Sequence, residues 1–190
     1  MGDSTSTNYV NKNHIVLVPD KPFFNVKMRK TNTTEGGIPA SNAWFLLQNA
    51  VYTSVCNSLG GASHVLIHRD CIPGTVNTTY ASMAGNGYTG STIYESNNWW
   101  RDVKIGLMHE PMVYGTTVCS SSCRDTGCGK SQLALFRLDP TWIHCGANRS
   151  NFWLCAVSAS THFAGAGGYG DAGPNAASAS HGVRPYILFA

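Results

Sequence analysis

The segment "SNFWLCAVSAS" (residues 150–160) places aromatic, β-branched and small apolar residues in one run with polar residues on either side. A short apolar run bounded in this way predicts a strand in the core of the fold. A second apolar segment, "GVRPYILF" (182–189), predicts a strand that closes the fold. The stretch between them consists mostly of Gly, Ala and Ser, so the role of these small residues decides how the region is interpreted.

Within this stretch, "FAGAGGYGDAG" (163–173) has the G-x-G-x-x-G spacing of a dinucleotide-binding turn at Gly165, Gly167 and Gly170. Such a turn needs a helix after the glycines, whose N-terminal amides bind the pyrophosphate, and an acidic residue about 20 positions further on. The sequence that follows contains Pro174 within a Gly/Ala/Ser/Asn mixture, which disfavours a helix, and the residue at that distance is not acidic. We therefore expect no nucleotide and no other cofactor.

Short apolar segments elsewhere predict further strands. "HIVLV" (14–18) and "FFNVKM" (23–28) are typical of strands. "SHVLIHRD" (63–70) is compatible with a strand or a short helix, and "DVKIGLMHEPMVYG" (102–115) and "QLALFRLDP" (132–140) are compatible with a strand or a turn.

One helix is predicted from Ser41, a favoured N-cap residue, to the stop signal at Gly60 and Gly61. Its apolar residues recur every three to four positions, at Trp44, Leu47, Val51 and Val55. Few helices, many short strands and long polar loops favour an α+β fold over a parallel sheet. We expect a single domain over residues 14–190, preceded by a disordered lead or cloning remnant over residues 1–13.

Composition narrows the classes of partner. Only 12% of the residues are charged and the formal net charge is +3, compared with about a quarter charged in an ordinary domain. A surface of Ser, Thr, Asn, Gly and Tyr suits adaptable hydrogen-bonding contacts, and so weak and scattered a charge argues against nucleic acid. The first residues, "MGDSTSTNYVNKNH", do not resemble a signal peptide. No apolar run approaches the roughly 20 residues of a membrane span, so we expect no membrane insertion.

The seven cysteines leave at least one thiol unpaired. Three of them lie in "CSSSCRDTGC" (119–128), which is compatible with a zinc site completed by Cys145 or His144, with a local disulfide, or with free thiols. His64 and His68 would share one face of a helix, but no third ligand is placed by the sequence. We expect no metal site.

Catalytic motifs are incomplete. The "HRD" at residues 68–70 resembles a kinase catalytic loop, but that loop requires Asn where this chain has Thr75. His109 and Glu110 lack the second histidine of H-E-x-x-H. No spacing pairs a nucleophile with a base, and we expect a protein that is not an enzyme.

The C-terminal residues resemble the variable proteins of diversity-generating retroelements, a family of phage virion proteins with the pattern W-L…F-A…G…A-S…G-V-R-P. The matching positions are Trp153, Leu154, Phe163, Ala164, Gly170, Ala177, Ser178, Gly182, Val183, Arg184 and Pro185. Upstream, "NTTEGGIPAS" (32–41) before a helix, "SHVLIHR" (63–69), and the segments at 102–115 and 132–140 occur in the order expected for such domains. The chain departs from the family at Cys155, where Arg is expected, and at Ala166, where Val is more usual.

The resemblance implies a C-type-lectin-like fold, with small antiparallel sheets supported by one or two helices, long loops, and a variable region at about 150–185. Core residues such as Trp153, Leu154, Phe163, Val183, Ile187 and Leu188 would be constant, and the side chains between them would be exchangeable. The implied ligand-binding positions are Cys155, Ala156, Thr161, His162, Gly165, Gly167, Gly168, Tyr169, Asp171, Gly173, Pro174, Asn175, Ala176, Ala179 and His181. With so few large side chains, each copy would bind weakly, and useful affinity would need several copies.

The residue types between Leu154 and Gly182 are compatible with diversification by a retroelement. Mutagenesis at template adenines turns an Asn codon into codons with a pyrimidine in third place, which cannot specify Lys, Glu, Gln, Met or Trp. None of these five residues occurs between Leu154 and Gly182.

The resemblance predicts a receptor-binding protein on a phage tail or similar virion appendage, or alternatively on a bacterial cell surface. Its expected partners are a host cell-surface protein or glycan and other virion subunits, with a homo-oligomer such as a trimer.

Three alternatives stay open. One is an enzyme of the formylglycine-generating type, which shares the lectin-like fold and would require a reactive pair such as Cys145 and Cys155. The second is a carbohydrate-binding lectin, although acidic residues are scarce for a calcium-dependent site, and the third is a Gly-rich loop without a ligand.

Overall fold

The computed structural model describes residues 12–72, 100–119 and 131–190. Most of the predicted lead over residues 1–13, as well as Thr75, Cys123 and Cys128, lies outside the described residues. The described chain mixes short helices with small, mainly antiparallel sheets, which confirms the α+β prediction.

Ten strands and four α-helices make up the described fold. The strands are β1 (Ile15–Leu17), β2 (Phe24–Lys27), β3 (His68–Cys71), β4 (Trp100–Val103), β5 (Gly106–Leu107), β6 (Phe152–Ala159), β7 (His162–Ala166), β8 (Ala172–Ala176), β9 (Ser180–Val183) and β10 (Pro185–Phe189). The helices are α1 (Asn42–Gln48), α2 (Ala50–Ser58), α3 (Glu110–Tyr114) and α4 (Ala134–Leu138), with 3-10 turns at Ile38–Ala40, Ala62–His64, Pro140–His144 and Gly146–Asn148.

The strands form three sheets. Five strands pair in the order β2-β9-β6-β7-β8, three in the order β1-β10-β5, and β3 pairs with β4. The pairs are antiparallel except for β6 and β9, which meet in parallel where Phe152 lies opposite Gly182. In the five-stranded sheet, β6 is therefore central and β8 lies at an edge.

The predicted helix from Ser41 is two helices. Ser41 is the N-cap as predicted, because its hydroxyl accepts a hydrogen bond from the Trp44 amide at 3.1 Å. The break occurs at Asn49, whose φ of −126° and ψ of −96° are not helical and whose side-chain amide donates to the Phe45 carbonyl at 2.7 Å. This side-chain bond competes with the backbone pattern of a continuous helix.

Two segments differ from their predictions. Residues 134–138 are helical, so the expectation of a strand or turn over 132–140 is wrong. Residues 102–115 contain part of β4, all of β5 and the unpredicted helix α3, which has Pro111 in its first turn and ends at Gly115 with a φ of 80°. Proline at the start and a left-handed glycine at the end are the usual helix boundaries.

The predicted closing strand over 182–189 is also divided, because Arg184 separates β9 from β10. Arg184 is fully buried; its Nε donates to the Pro19 carbonyl at 2.8 Å and a terminal nitrogen donates to the Trp142 carbonyl at 2.5 Å. Its guanidinium lies over the rings of Phe136 and Phe152, 5.4 and 5.3 Å from their centroids. These contacts fix the point at which the chain passes from the five-stranded to the three-stranded sheet.

Strand β6 is buried on both faces. Trp153, Cys155 and Val157 pack into one apolar cluster with α1, α2 and β9, while Phe152, Leu154 and Ala156 pack into a second with α3, α4 and β10. Alternate side chains of a strand point to opposite faces, so both sides of β6 are covered. The confirmed core strand therefore joins the two halves of the hydrophobic core.

Candidate functional site

The predicted ligand-binding positions differ widely in exposure. Tyr169, Asp171 and Pro174 are exposed. Partly exposed positions are Thr161, His162, Gly167, Gly173, Asn175, Ala176, Ala179 and His181. We call these eleven residues the C-terminal face.

Four of the predicted positions are buried: Cys155, Ala156, Gly165 and Gly168. Cys155 and Ala156 are each 1% exposed, because β6 is covered on both faces. A Cβ added to Gly168 would lie 2.5 Å from the Arg149 carbonyl oxygen, and one added to Gly165 would lie 3.1 Å from that of Phe152. The assignment of these four residues to a ligand-contacting surface is wrong.

The C-terminal face divides into separate groups. Gly167, Tyr169 and Asp171 lie in the turn between β7 and β8, next to Ala166 and Ala172, which pair at one end of these strands. We call residues 167–171 the β7–β8 turn. Gly173, Pro174 and Asn175 continue from it along the edge strand β8.

The opposite end of β7 and β8 carries a second group, Thr161, His162, Ala176 and Ala179, which we call the far group. His162 pairs with Ala176, and the Ala179 amide donates to the Ala176 carbonyl at 2.8 Å. The Thr161 hydroxyl lies 2.7 Å from His162 Nδ1. His181 belongs to neither group, because it lies on β9 with its ring edge-on to buried Trp153, at a centroid distance of 4.7 Å. Burial lowers the pKa of His181.

Hydrogen bonds from three directions shape the β7–β8 turn. Within it, the Gly167 amide donates to the Asp171 carbonyl at 2.7 Å, and the Gly170 amide donates to the Gly167 carbonyl at 3.0 Å. From outside, Asn151 Oδ1 accepts from the Gly168 amide at 2.5 Å, and the Tyr114 hydroxyl donates to the Asp171 carbonyl at 2.8 Å. Backbone groups of four of the five turn residues, Gly167, Gly168, Gly170 and Asp171, are thus held by hydrogen bonds.

The element after Gly170 is strand β8 and not a helix. A dinucleotide-binding turn would have at this point the helix whose N-terminal amides bind the phosphate.

Three residues beside the turn were missed from the sequence: Tyr114, Arg149 and Asn151. The Arg149 guanidinium lies 5.5 Å from the centroid of the Tyr169 ring. Burial raises the pKa of Tyr114, and the negative charge of Asp171 adds to the shift. No periodicity connects these residues to the turn, since Tyr114 precedes Asp171 by 57 positions.

The described thiols Cys56, Cys119 and Cys145 are free, so Cys119 forms no disulfide. Within the described residues, Cys119 is also not part of a cluster of metal-binding side chains. Burial raises the pKa of Cys119 to about 11, and Glu110 and Asp171 contribute. Cys145 and Cys155, the pair considered for the formylglycine-generating alternative, are each 1% exposed. They do not face an open groove, and burial raises the pKa of Cys145.

His68 and Asp70 of the "HRD" motif lie in a buried polar network. The Tyr186 hydroxyl donates to Asp70 Oδ2 at 2.8 Å and lies 2.6 Å from His68 Nε2, while His109 Nε2 lies 2.9 Å from the same Asp70 oxygen. Arg69 points outward and pairs with Asp102 at 3.2 Å. Because His68 and Asp70 are 6% and 2% exposed, they stabilise the packing of β3 against β10 and do not line an open cleft.

Comparison of the chain with protein-family models, curated proteins and solved structures finds no match. Among the described residues, no helix is long and apolar enough to span a membrane.

Proposed function

We propose that this chain is a ligand-binding display protein and not an enzyme, related to the variable proteins of diversity-generating retroelements and built on a C-type-lectin-like fold. Its C-terminal face binds a host cell-surface protein or glycan, and its place is on a phage tail or another virion appendage. The alternative location is a bacterial cell surface.

One observation carries the proposal: constant and exchangeable positions of the pattern separate by burial. Nine of the eleven constant positions of the pattern are buried, and Gly170 and Ser178 are partly exposed; the buried ones are Trp153, Leu154, Phe163, Ala164, Ala177, Gly182, Val183, Arg184 and Pro185. Eleven of the fifteen expected exchangeable residues are exposed or partly exposed. Exposed side chains away from special contacts can be replaced at a cost of about 0.5 kcal/mol or less, so this partition lets the ligand specificity change while the fold persists.

The supporting layers are compatible with a lectin-like arrangement. Ala43 and Leu47 of α1 and Cys56 of α2 share an apolar cluster with Trp153 and Phe163 of the late strands. The helices therefore support the sheet whose outer strand and turns carry the C-terminal face, which is the arrangement that the family resemblance implies.

The small side chains of the C-terminal face limit the affinity of a single copy for its ligand. The largest exposed group, Tyr169, is 84% exposed, and it has few large neighbours on the face. Tyr supplies broad contact area at a low entropic cost, but a single anchor gives weak binding. Copies acting together on one surface would provide the missing affinity through a high effective concentration.

The surrounding DNA provides a test that does not depend on a ligand. The proposal predicts a neighbouring reverse-transcriptase gene and a near-identical repeat of codons 150–185 that differs only at template adenines. Substitutions between the copies should affect codons of the C-terminal face. A repeat whose differences fall mainly on codons for buried residues such as Trp153 and Phe163 would contradict the proposal.

A protein-level test replaces His162, Tyr169, Asp171 and His181 together by Ser. The thermal midpoint should fall by only a few degrees, with most of the loss due to the His181–Trp153 contact. The control is Phe163→Ser, which opens a fully buried position and should cost several kcal/mol. If the variant with all four substitutions is as unstable as the control, these side chains are structural, and the display proposal fails.

A further inference from the structure

The β7–β8 turn presents a single large side chain. On one side of Tyr169, the Gly168 amide donates to Asn151 Oδ1, and a Cβ added at Gly168 would lie only 2.5 Å from the Arg149 carbonyl oxygen. On the other side, Gly170 has a φ of 85°, which favours glycine. Both neighbours are therefore restricted to glycine, while the Tyr169 side chain is 84% exposed. Within the turn, position 169 can change most freely without disturbing the backbone.

Arg149 lies beside this side chain in a left-handed backbone conformation, with φ 45° and ψ 51°. This conformation is costly for a residue other than glycine, and such strain is found preferentially at functional sites. Glycine would adopt it without strain, so the backbone does not explain why an arginine occupies the position. Its guanidinium lies over the exposed Tyr169 ring, and the residue itself is exposed.

The pair has the chemistry of a protein-binding anchor. Tyr and Arg are enriched among the residues that dominate protein–protein binding energy, and the guanidinium offers five donors to carboxylates and carbonyls. Small molecules are usually bound in concave pockets, whereas Tyr169 projects from a turn. A groove of about 510 Å³ in the described fold is lined by residues of β1, β2, α2 and β10 and their neighbours, including Leu17, Phe24 and Val55, and by none of the C-terminal face.

We infer that Tyr169 determines the specificity of the C-terminal face, and that Arg149, outside the exchangeable set, is its constant contact residue for a protein partner. The partner offers a recess that accepts the side chain at 169, with carbonyl or carboxylate oxygens at its rim for Arg149. This inference rests on the proposed display function and narrows it to one end of the face and to one class of partner.

Two libraries of the full chain test the inference. The first varies Tyr169, Asp171, Gly173 and Pro174, and the second varies the same number of positions in the far group. Both are displayed on yeast and selected on α-lactalbumin, an acidic protein, and in parallel on dextran. We expect the first library to give α-lactalbumin binders at least tenfold more often than the second, with the residue at 169 changed in the enriched clones.

The substitution Arg149→Gly in an enriched clone then tests whether Arg149 contacts the partner or only stabilises the turn. Because glycine relieves the left-handed strain, the midpoint of thermal unfolding should stay the same or rise, while α-lactalbumin binding should weaken at least tenfold. Loss of binding by less than twofold would overturn the role of Arg149. Tyr169→Ser in the parent chain should shift the midpoint by about 2 °C or less, and a larger loss would show that Tyr169 is structural.

The selections also distinguish this inference from the proposed function. Binders that come only from the far-group library would overturn the inference and leave the display function standing. Enrichment on dextran and not on the protein would overturn the choice of a protein partner. If neither library gives binders to either probe, the display function fails and the inference fails with it.

Discussion

Gly168 and Gly173 lie five positions apart, yet we predict opposite tolerance to alanine. In Gly168→Ala, the new Cβ would lie 2.5 Å from the Arg149 carbonyl oxygen and 3.0 Å from Asn151 Oδ1. Carbon and oxygen cannot approach so closely, so the turn must move away from Arg149 and lose the Gly168–Asn151 hydrogen bond. In Gly173→Ala, the new Cβ has nothing within 4 Å.

The magnitudes follow from these contacts. Overpacking typically costs about 1–3 kcal/mol, and the lost hydrogen bond adds about 1 kcal/mol, so Gly168→Ala should lower the free energy of unfolding by roughly 2–4 kcal/mol. In a chain of 190 residues, this corresponds to a midpoint lower by roughly 5–15 °C. Gly173→Ala should change the free energy by about 0.5 kcal/mol or less, since the side chain enters open solvent.

Circular dichroism during thermal and urea unfolding measures both variants. The urea m-value should be unchanged, which shows that the comparison concerns the folded state. Equal midpoints for the two variants would refute the distinction between restricted and exchangeable positions in the β7–β8 turn. A loss for Gly173→Ala larger than for Gly168→Ala would refute the described geometry of the turn itself.

Three further predictions concern His181, Cys119 and Tyr186. Burial lowers the pKa of His181 from 6.5, so the imidazole binds a proton more readily in the unfolded chain than in the folded one. The contribution of the neutral His181 to the free energy of unfolding is therefore complete above about pH 6.5 and is lost as the pH falls below it. His181→Phe should therefore lose less stability than the parent between pH 7 and pH 5 in urea titrations, and a parallel loss would contradict this. Cys119 has a pKa of about 11, so it should react with iodoacetamide at pH 8 at least about tenfold more slowly in the folded than in the urea-unfolded protein. This factor allows for the greater intrinsic nucleophilicity of a thiolate with a raised pKa. Peptide mapping by mass spectrometry gives both rates, and equal rates would refute the burial of this thiol. Tyr186→Phe removes the hydroxyl that contacts Asp70 and His68 and should cost about 1–3 kcal/mol; the control Tyr169→Phe, at an exposed position, should cost about 0.5 kcal/mol or less, and equal losses would count against the buried network.

Local signals in the sequence were sufficient for several elements. Ser41 acts as the predicted N-cap, and the apolar runs around Val16, Val26 and Leu154 form the predicted strands. The helix α3 also had its signals, Pro111 at the start and Gly115 at the end, but its few residues lie inside a segment whose apolar pattern also suits a strand. Such short apolar segments do not discriminate between helix and strand by periodicity alone.

The residues of the candidate site that were wrongly assigned or missed have a different explanation. The apolar run of β6 is continuous, which is typical of a strand buried on both faces, whereas the resemblance placed Cys155 and Ala156 among exchangeable surface positions. The residues around the β7–β8 turn could not be found at all, because Tyr114, Arg149 and Asn151 reach it through tertiary contacts with the backbone of Asp171 and Gly168 and the ring of Tyr169. Local patterns in a single sequence contain no record of such contacts.

A saturation library over residues 150–189, displayed on yeast and sorted by resistance to protease, tests the separation of frame and surface most directly. We predict that most substitutions are tolerated at Tyr169, Asp171, Gly173 and Pro174, and that few are tolerated at the buried positions Trp153, Leu154, Phe163, Val183 and Arg184. Equal tolerance in the two sets, or lower tolerance at the four surface positions, would contradict the account.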